Sequence, residues 1–233
     1  MKFLVTAGGT SEWIDRVRCI TNSATGRLGS LTADYLARSP EAERIFYVCG
    51  QSSARPESPK AEILPVGTVA EAEAAIRRVL AGNTVGAIIH SMAVSDYTVE
   101  SVTTPELYAR NPSGGGLDRE GKLPSGANRL LLALRPTVKI ISLFQQLAPD
   151  ALLVGFKLLD NAPFDTLLDT AYKLLQKNHC AYVLANDVKD INRDAHTGYL
   201  IDREKHVEKY LDKLSIARGI ADHLLVGLKG ESA

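Results

Sequence analysis

The sequence predicts an α/β protein: a doubly wound, mostly parallel Rossmann-like sheet with helices on both faces. Three observations carry this. Five short runs, "KFLVT", "RIFYVC", "GAIIH", "LLVGF" and "AYVLA", are apolar for most of their length, as strands covered on both faces should be. Segments with helical spacing of apolar residues lie between them, and that alternation favours parallel strands joined by crossover helices. The chain has 233 residues, 45% of them hydrophobic, enough to bury one large core.

Each element has its own reason. The first strand is predicted over 2–6 and a helix over 28–38, entered through Gly26 and Gly29. A second strand covers 44–49. Thr68 opens a helix with a capping box, because Glu71 stands three residues on. Val69, Ala72, Ile76, Val79 and Leu80 give that helix one apolar face, and Gly82 ends it. A third strand covers 86–90. The stretch 96–129 holds Pro105, Pro112, Pro124 and the run "SGGG", with little periodicity. It reads as one long loop, and loops of that length are usually functional. Order resumes over 130–134, with a helix over 139–147 and a strand over 152–156. Phe164, Leu167, Leu168, Ala171, Leu174 and Leu175 form a helical stripe. Strands over 181–185 and 199–202 and a helix from about 212 to 228 complete the chain. The whole of 1–233 is expected to be one domain, with a Gly/Pro-rich lid loop at about 98–129.

Composition narrows the function. Lys plus Arg and Asp plus Glu both total 27, which argues against a broad basic surface for nucleic acid. Three cysteines (Cys19, Cys49 and Cys180) without a CxxC pair favour neither a disulfide framework nor a zinc site. Cys19, beside Arg18, reads as a small apolar filler. The five histidines, His90, His179, His196, His206 and His223, have no metal spacing and read as structural or surface residues. No apolar run reaches the length of a membrane span. The expectation is a reduced, cytoplasmic protein whose N-terminus is a strand, not a signal peptide.

In a doubly wound sheet the ligand lies beyond the carboxyl ends of the strands, here 8–22, 91–97, 156–158 and 186–188. "GGTSEW" lacks the third glycine of a GxGxxG fingerprint, and no Tyr precedes a Lys by four. "GRL" does not supply a P-loop. In "VRCITNSATGRLG", Gly26 and Gly29 open a helix whose free N–H groups favour an anion. Arg18 can grip a carboxylate or phosphate, and Asn22 can hydrogen-bond but cannot act as a base. The same residues also suit a well-capped turn.

The fragment belongs to a series: "TAGGTSEWIDRVRCITNSATGRLG", "SMAVSDY", "GKLPSGANR", "VGFKLL", "AYKLLQKN" and "VLANDV", in that order. This series resembles the phosphopantothenoylcysteine synthetases, the phosphopantothenate–cysteine ligases of coenzyme A biosynthesis, in their stand-alone bacterial form. The resemblance covers nearly the whole chain. It implies that 4′-phosphopantothenate and L-cysteine are joined through an acyl-nucleotide, with release of pyrophosphate and a nucleoside monophosphate. It also implies Mg²⁺, CTP or ATP as co-substrate with CTP favoured, no flavin, and a homodimer whose second protomer completes the site. A separately encoded decarboxylase is a further implied partner.

The resemblance assigns roles residue by residue. Asn22, Lys122 and Arg18 would act on the acyl-nucleotide and its leaving charge. Gly8, Gly9, Gly26 and Gly29, with Met92, Ala93 and Asp96, would hold the substrate. Asp96, Lys122, Lys139, Ile140 and Phe156 would hold the nucleotide, with Lys173 and Lys177 on one helix face and Asn186 at a strand end. Metal ligands are not assigned. Some positions depart from the family spelling: Ala24 replaces a Ser, Ser95 replaces an Ala, Val138 replaces a Pro, and the loop keeps Lys122 but loses its later lysines. Two other classes remain open: an NAD(P)-binding oxidoreductase on this fold, and a non-catalytic nucleotide sensor.

Overall fold

A computed structural model describes residues 1–112, 116–123, 125–191 and 195–230. The expected Pro124 and most of the "SGGG" run lie outside the described residues. In chain order the elements begin with β1 (Lys2–Ala7), β2 (Ser11–Trp13), β3 (Cys19–Thr21), α1 (Arg27–Ala37), β4 (Arg44–Gly50), β5 (Ala61–Val66) and α2 (Val69–Gly82). Next come β6 (Ala87–His90), β7 (Tyr97–Thr103), α3 (Pro105–Arg110), β8 (Leu131–Pro136) and α4 (Ile140–Leu147). The chain closes with β9 (Leu152–Leu159), α5 (Phe164–Asn178), β10 (Tyr182–Asp187), β11 (Gly198–Asp202), β12 (Val207–Tyr210) and α6 (Lys213–Gly230).

Eight strands form the main sheet in the order β12-β11-β10-β9-β6-β1-β4-β5. From β10 to β5 every pairing is parallel; β11 and β12 add on antiparallel. The six parallel strands, renumbered by their sequence order, run 3-2-1-4-5-6 from the β5 edge, which is the dinucleotide-fold order with its reversal between β1 and β6. The doubly wound expectation therefore holds.

Alternation along each buried strand feeds two cores. In β1, Leu4 packs with α2, α4 and α5 through Ile76, Phe144 and Ala171. Its neighbours Phe3 and Val5 pack on the other face with Leu36 of α1 and Ile220 of α6. Period two with both faces covered is why the strand reads as a continuous apolar run. The capping box at Thr68 is present, its hydroxyl accepting from Glu71 N. Gly82 is still helical, and Asn83 occupies the C-terminal cap.

The long loop expected over 96–129 is corrected. β7 and β8 pair antiparallel from Tyr97↔Pro136 to Thr103↔Leu131, as a ribbon outside the main sheet, and α3 follows β7. β7 offers little pattern because only Val99 and Val102 of it are buried. They join Leu123 in a small satellite core with Ile14, Leu117 and Leu130. β8 is exposed along its whole length, so it owes its order to its partner strand. The short hairpin β2–β3 and the strands β5 and β12 were not legible in the sequence either.

Candidate functional site

The reversal of strand order opens a crevice where the loops after β1 and β6 part. A cavity of about 370 Å³ lies there. Its wall takes Gly26 and Gly29 from the start of α1, Met92 and Ala93 from beyond β6, Phe156 from β9 and Asn186 from β10. Gly26 enters α1 with φ 70° and has no side chain to cap it. The Thr25 hydroxyl accepts only from Arg27 N, at 3.4 Å. The start of α1 thus offers donors and the positive end of a helix dipole to the cavity.

Asn22 stitches the loops together. Its Nδ2 donates to Ala93 O at 3.2 Å, and its backbone N donates to Thr10 O at 3.2 Å. Ala93 N donates in turn to Gly8 O at 2.8 Å. Gly9 must be a glycine, because a Cβ there would stand 2.0 Å from Asn22 O. Asn186, 5% exposed, has its Nδ2 committed to Thr197 O at 2.8 Å.

A second cavity of about 180 Å³ adjoins the first and shares Met92 and Phe156 with it. Asp96, Lys139, Ile140 and Leu174 line it, and the Lys139 ammonium pairs with the Asp96 carboxylate. Its floor includes His90, whose Nδ1 is 2.7 Å from Thr6 Oγ1 and whose ring meets Phe144 edge-on. Burial pushes the imidazole pKa down to about 4, so that floor is neutral at pH 7. An apolar slot with one ion pair at its rim suits a flat heterocycle with a polar edge.

The structure therefore brings Gly26, Gly29, Met92, Ala93 and Asn186 to one cavity and Asp96, Lys139 and Ile140 to the other, with Phe156 between. Gly8, Gly9 and Asn22 brace the loops at that end. Arg18 is different. Its guanidinium donates to Leu123 O at 3.1 Å and stands 3.7 Å from Asp15 Oδ2, and it lines neither cavity. Lys122 is exposed on the segment that Arg18 holds. Lys173 and Lys177 are exposed on α5, one residue before and three residues after the cavity-lining Leu174, and line neither cavity themselves.

Several site-building residues escaped the sequence reading. Asp15 is 3% exposed and accepts from the backbone N–H groups of Val17, Arg18 and Leu123. Burial works against its charge, but those donors and the Arg18 guanidinium outweigh it, so the carboxyl stays below its usual range. Its bond to the amide two residues on is the Asx-turn signature, readable in "IDRVR". Glu12, also buried, accepts from Val69 N at the start of α2 (2.9 Å) and from Thr98 Oγ1 (2.6 Å). Arg119 clamps the segment 116–123 by donating to Ile14 O, Val99 O and Trp13 O. Lys157, His196 and Lys213 line the larger cavity. Among the described residues, the group of three potential metal ligands is Asp202, Glu204 and His206, on the β11–β12 hairpin and outside both cavities. No described helix is long and apolar enough to cross a membrane.

Fold and crevice together define a Rossmann-like α/β protein whose ligand site sits at the strand-order reversal. Within that class, the chain belongs to the family described as the DNA/pantothenate metabolism flavoprotein C-terminal domain, whose model matches residues 1–112 and 117–227. The coenzyme A biosynthesis bifunctional protein CoaBC of Thermococcus kodakarensis is 30% identical over 207 residues, which is 87% of this chain and 45% of that protein. The chain spans less than half the length of that relative. The crystal structure of the DNA/pantothenate metabolism flavoprotein from Streptococcus pneumoniae superposes with a TM-score of 0.87 at 32% identity, over 97% of this chain and 99% of that one. A Cab2 H337A mutant in complex with phosphopantothenate-cysteine shares the fold, with a TM-score of 0.70 at 16% identity over 98% and 88% of the two chains.

Proposed function

We propose that this protein joins 4′-phosphopantothenate to L-cysteine through an acyl-nucleotide, forming a carbon–nitrogen bond by activated-acid ligation. The observation that carries this is the pair of adjoining cavities in a chain of the pantothenate-metabolism family. One cavity offers a helix N-terminus and cations, the other an apolar slot, and Phe156 stands between them. A triphosphate bridging the two would bring its α-phosphorus beside an acid held at the loops that Asn22 braces.

The chemistry asks little of the protein beyond position and charge. The pantothenate carboxylate attacks the α-phosphorus and pyrophosphate leaves. The cysteine amine then attacks the acyl carbon and the nucleoside monophosphate leaves. Both nucleophiles belong to substrates, which agrees with cavities lined by no serine–histidine–acid constellation among the described residues. No electrons change hands, so the reaction needs no flavin. Preorganised donors at the developing charge supply the acceleration. In this reading Asn22 orients the acyl group. Lys122 approaches the leaving charge on the segment 116–123, which closes as a lid with Arg18 holding it at Leu123, and a second protomer completes the site in a homodimer. Asp96, Lys139, Ile140 and Phe156 receive the base and ribose, while Lys173 and Lys177 reach the nucleotide from α5. Asn186 serves the first cavity, beside Gly26 and Gly29.

Mg²⁺ fits such a site. Among the described residues the cavities offer one carboxylate, Asp96, and Mg²⁺ is commonly held by one or two carboxylates plus substrate phosphates. When bound it would neutralise part of the triphosphate charge. CTP is the favoured nucleotide, a decarboxylase the favoured partner for the next step, and the cytoplasm the favoured compartment.

The test mixes protein, 4′-phosphopantothenate, L-cysteine, Mg²⁺ and CTP or ATP, and follows pyrophosphate and the monophosphate. Release of CMP or AMP that depends on phosphopantothenate is the expected result. NADPH oxidation without pyrophosphate would instead favour an oxidoreductase, and nucleotide binding without turnover a sensor.

A further inference from the structure

The larger cavity carries cations to which the reading above gives no individual role. Among the described residues its charged side chains are Arg27, Lys157 and Lys213, with no Asp or Glu. Arg27 is exposed at the first turn of α1, but Lys157 and Lys213 are half-buried. Neither lysine has a salt bridge or hydrogen bond among the described residues. Some lysines elsewhere do meet an acid: Lys139 with Asp96, Lys189 with Asp187, Lys229 with Glu41. Two half-buried ammonium groups facing one cavity without a counter-charge repel each other, and an anion between them relieves that.

His196 adds an independent observation. It lines the same cavity, and its Nδ1 is buried with no hydrogen-bond partner among the described residues. Burial and the nearby Lys213 ammonium hold the ring neutral. A buried, unspent ring nitrogen is costly unless a ligand or water meets it. The same cavity takes in the uncapped start of α1. Cations, a neutral imidazole and helix N–H groups around one space make a receptor for a phosphate group.

We propose that Lys213, with Lys157 lining the same cavity, is a specificity-determining residue that receives a phosphate group of one substrate there, with His196 completing the hydrogen bonding. The inference rests on the ligase reading for the identity of that substrate, but not for the anion site itself. Two sources of the phosphate are available: the terminal phosphates of the nucleotide, and the phosphomonoester of 4′-phosphopantothenate. Lys213 stands at the start of α6, capped by Asp212, whose Oδ1 accepts from the N–H groups of Leu214 and Ser215. Its backbone is therefore fixed independently of any ligand.

The experiment is calorimetric binding to the intact chain, without turnover. Wild type, Lys213→Gln and Lys157→Gln are titrated with inorganic pyrophosphate, 4′-phosphopantothenate and pantothenate, and thermal melts check folding. Removing the Lys213 ammonium, and with it a charge-assisted hydrogen bond, should weaken one phosphate ligand by about tenfold or more. Loss confined to pyrophosphate supports the site and assigns it to the nucleotide. Loss confined to 4′-phosphopantothenate, with its preference over pantothenate collapsing, supports the site and assigns it to the acid. Unchanged affinity for both in folded Lys213→Gln and Lys157→Gln overturns the proposal. Should wild type fail to make product while Lys213→Gln still loses pyrophosphate, the ligase reading falls and the anion site stands.

Discussion

Gly29→Ala tests the closeness with which α1 is seated. A Cβ built at Gly29 stands 2.6 Å from the Ala7 Cβ and 2.7 Å from the Ser91 Oγ. Carbon pairs settle at about 3.5–4.0 Å, so α1 must retreat from the strand ends by about 1 Å. Neither obstacle gives way easily. Ala7 belongs to the central strand β1, and Ser91 Oγ is committed to Thr6 O at 2.8 Å. Overpacking of this kind costs about 1–3 kcal/mol, while replacing glycine in a helix returns about 1 kcal/mol. The net expectation is a loss of about 1 kcal/mol, which for a chain of this size lowers Tm by about 2–4 °C. Function should suffer more, since a 1 Å displacement of a binding element can cost about 10²-fold in rate. Gly82→Ala is the control. Nothing lies within 4 Å of its Cβ, so the same substitution at the end of α2 should be neutral or stabilising by up to about 1 kcal/mol. Urea melts of both variants, with ligase rates, decide. A Gly29→Ala protein as stable and active as wild type would refute the reasoning.

Other outcomes follow from the same geometry. Asn22→Ala should lower kcat by about 10²-fold or more, the usual loss for one preorganised donor, beyond the stability cost of about 1 kcal/mol for losing its bond to Ala93 O, and steady-state kinetics beside a thermal melt will separate the two. Lys173→Ala with Lys177→Ala should raise the KM for nucleotide and leave the KM for cysteine unchanged; equal KM values for nucleotide would remove both lysines from the site. His90 gives a pH signature. Its folded pKa of about 4 lies below the ordinary 6.5, so the unfolded chain binds the extra proton and stability falls as pH drops from about 6.5 to about 4. The loss approaches about 3 kcal/mol, and His90→Gln should flatten that part of the stability profile; an unchanged slope would contradict it. Finally, hydrogen exchange over 116–123 should slow when CTP and phosphopantothenate are both present. Unchanged exchange would count against closure of that segment.

Much of this protein is written locally. β1, β4, β6, β9 and β10 are legible because strands buried on both faces must be apolar throughout. The capping box at Thr68 is legible because four residues close it among themselves. Order along the chain also brings out the resemblance, and with it Asn22, Phe156 and the α1 glycines. What the tertiary structure alone decided has a common physical cause: the partners lie far away in sequence. β8 is an exposed run that orders only against β7. Asp15 is an acidic residue in a turn until Leu123, over a hundred positions on, donates to it at 3.0 Å inside a buried pocket. Arg18 looks like a free grip for an anion until that same junction takes its guanidinium. Lys157 and Lys213 are unremarkable surface-type residues in the sequence. They come to one cavity because β9 stands in the middle of the sheet and α6 returns to pack against α1, and no local pattern encodes which elements will stand beside each other.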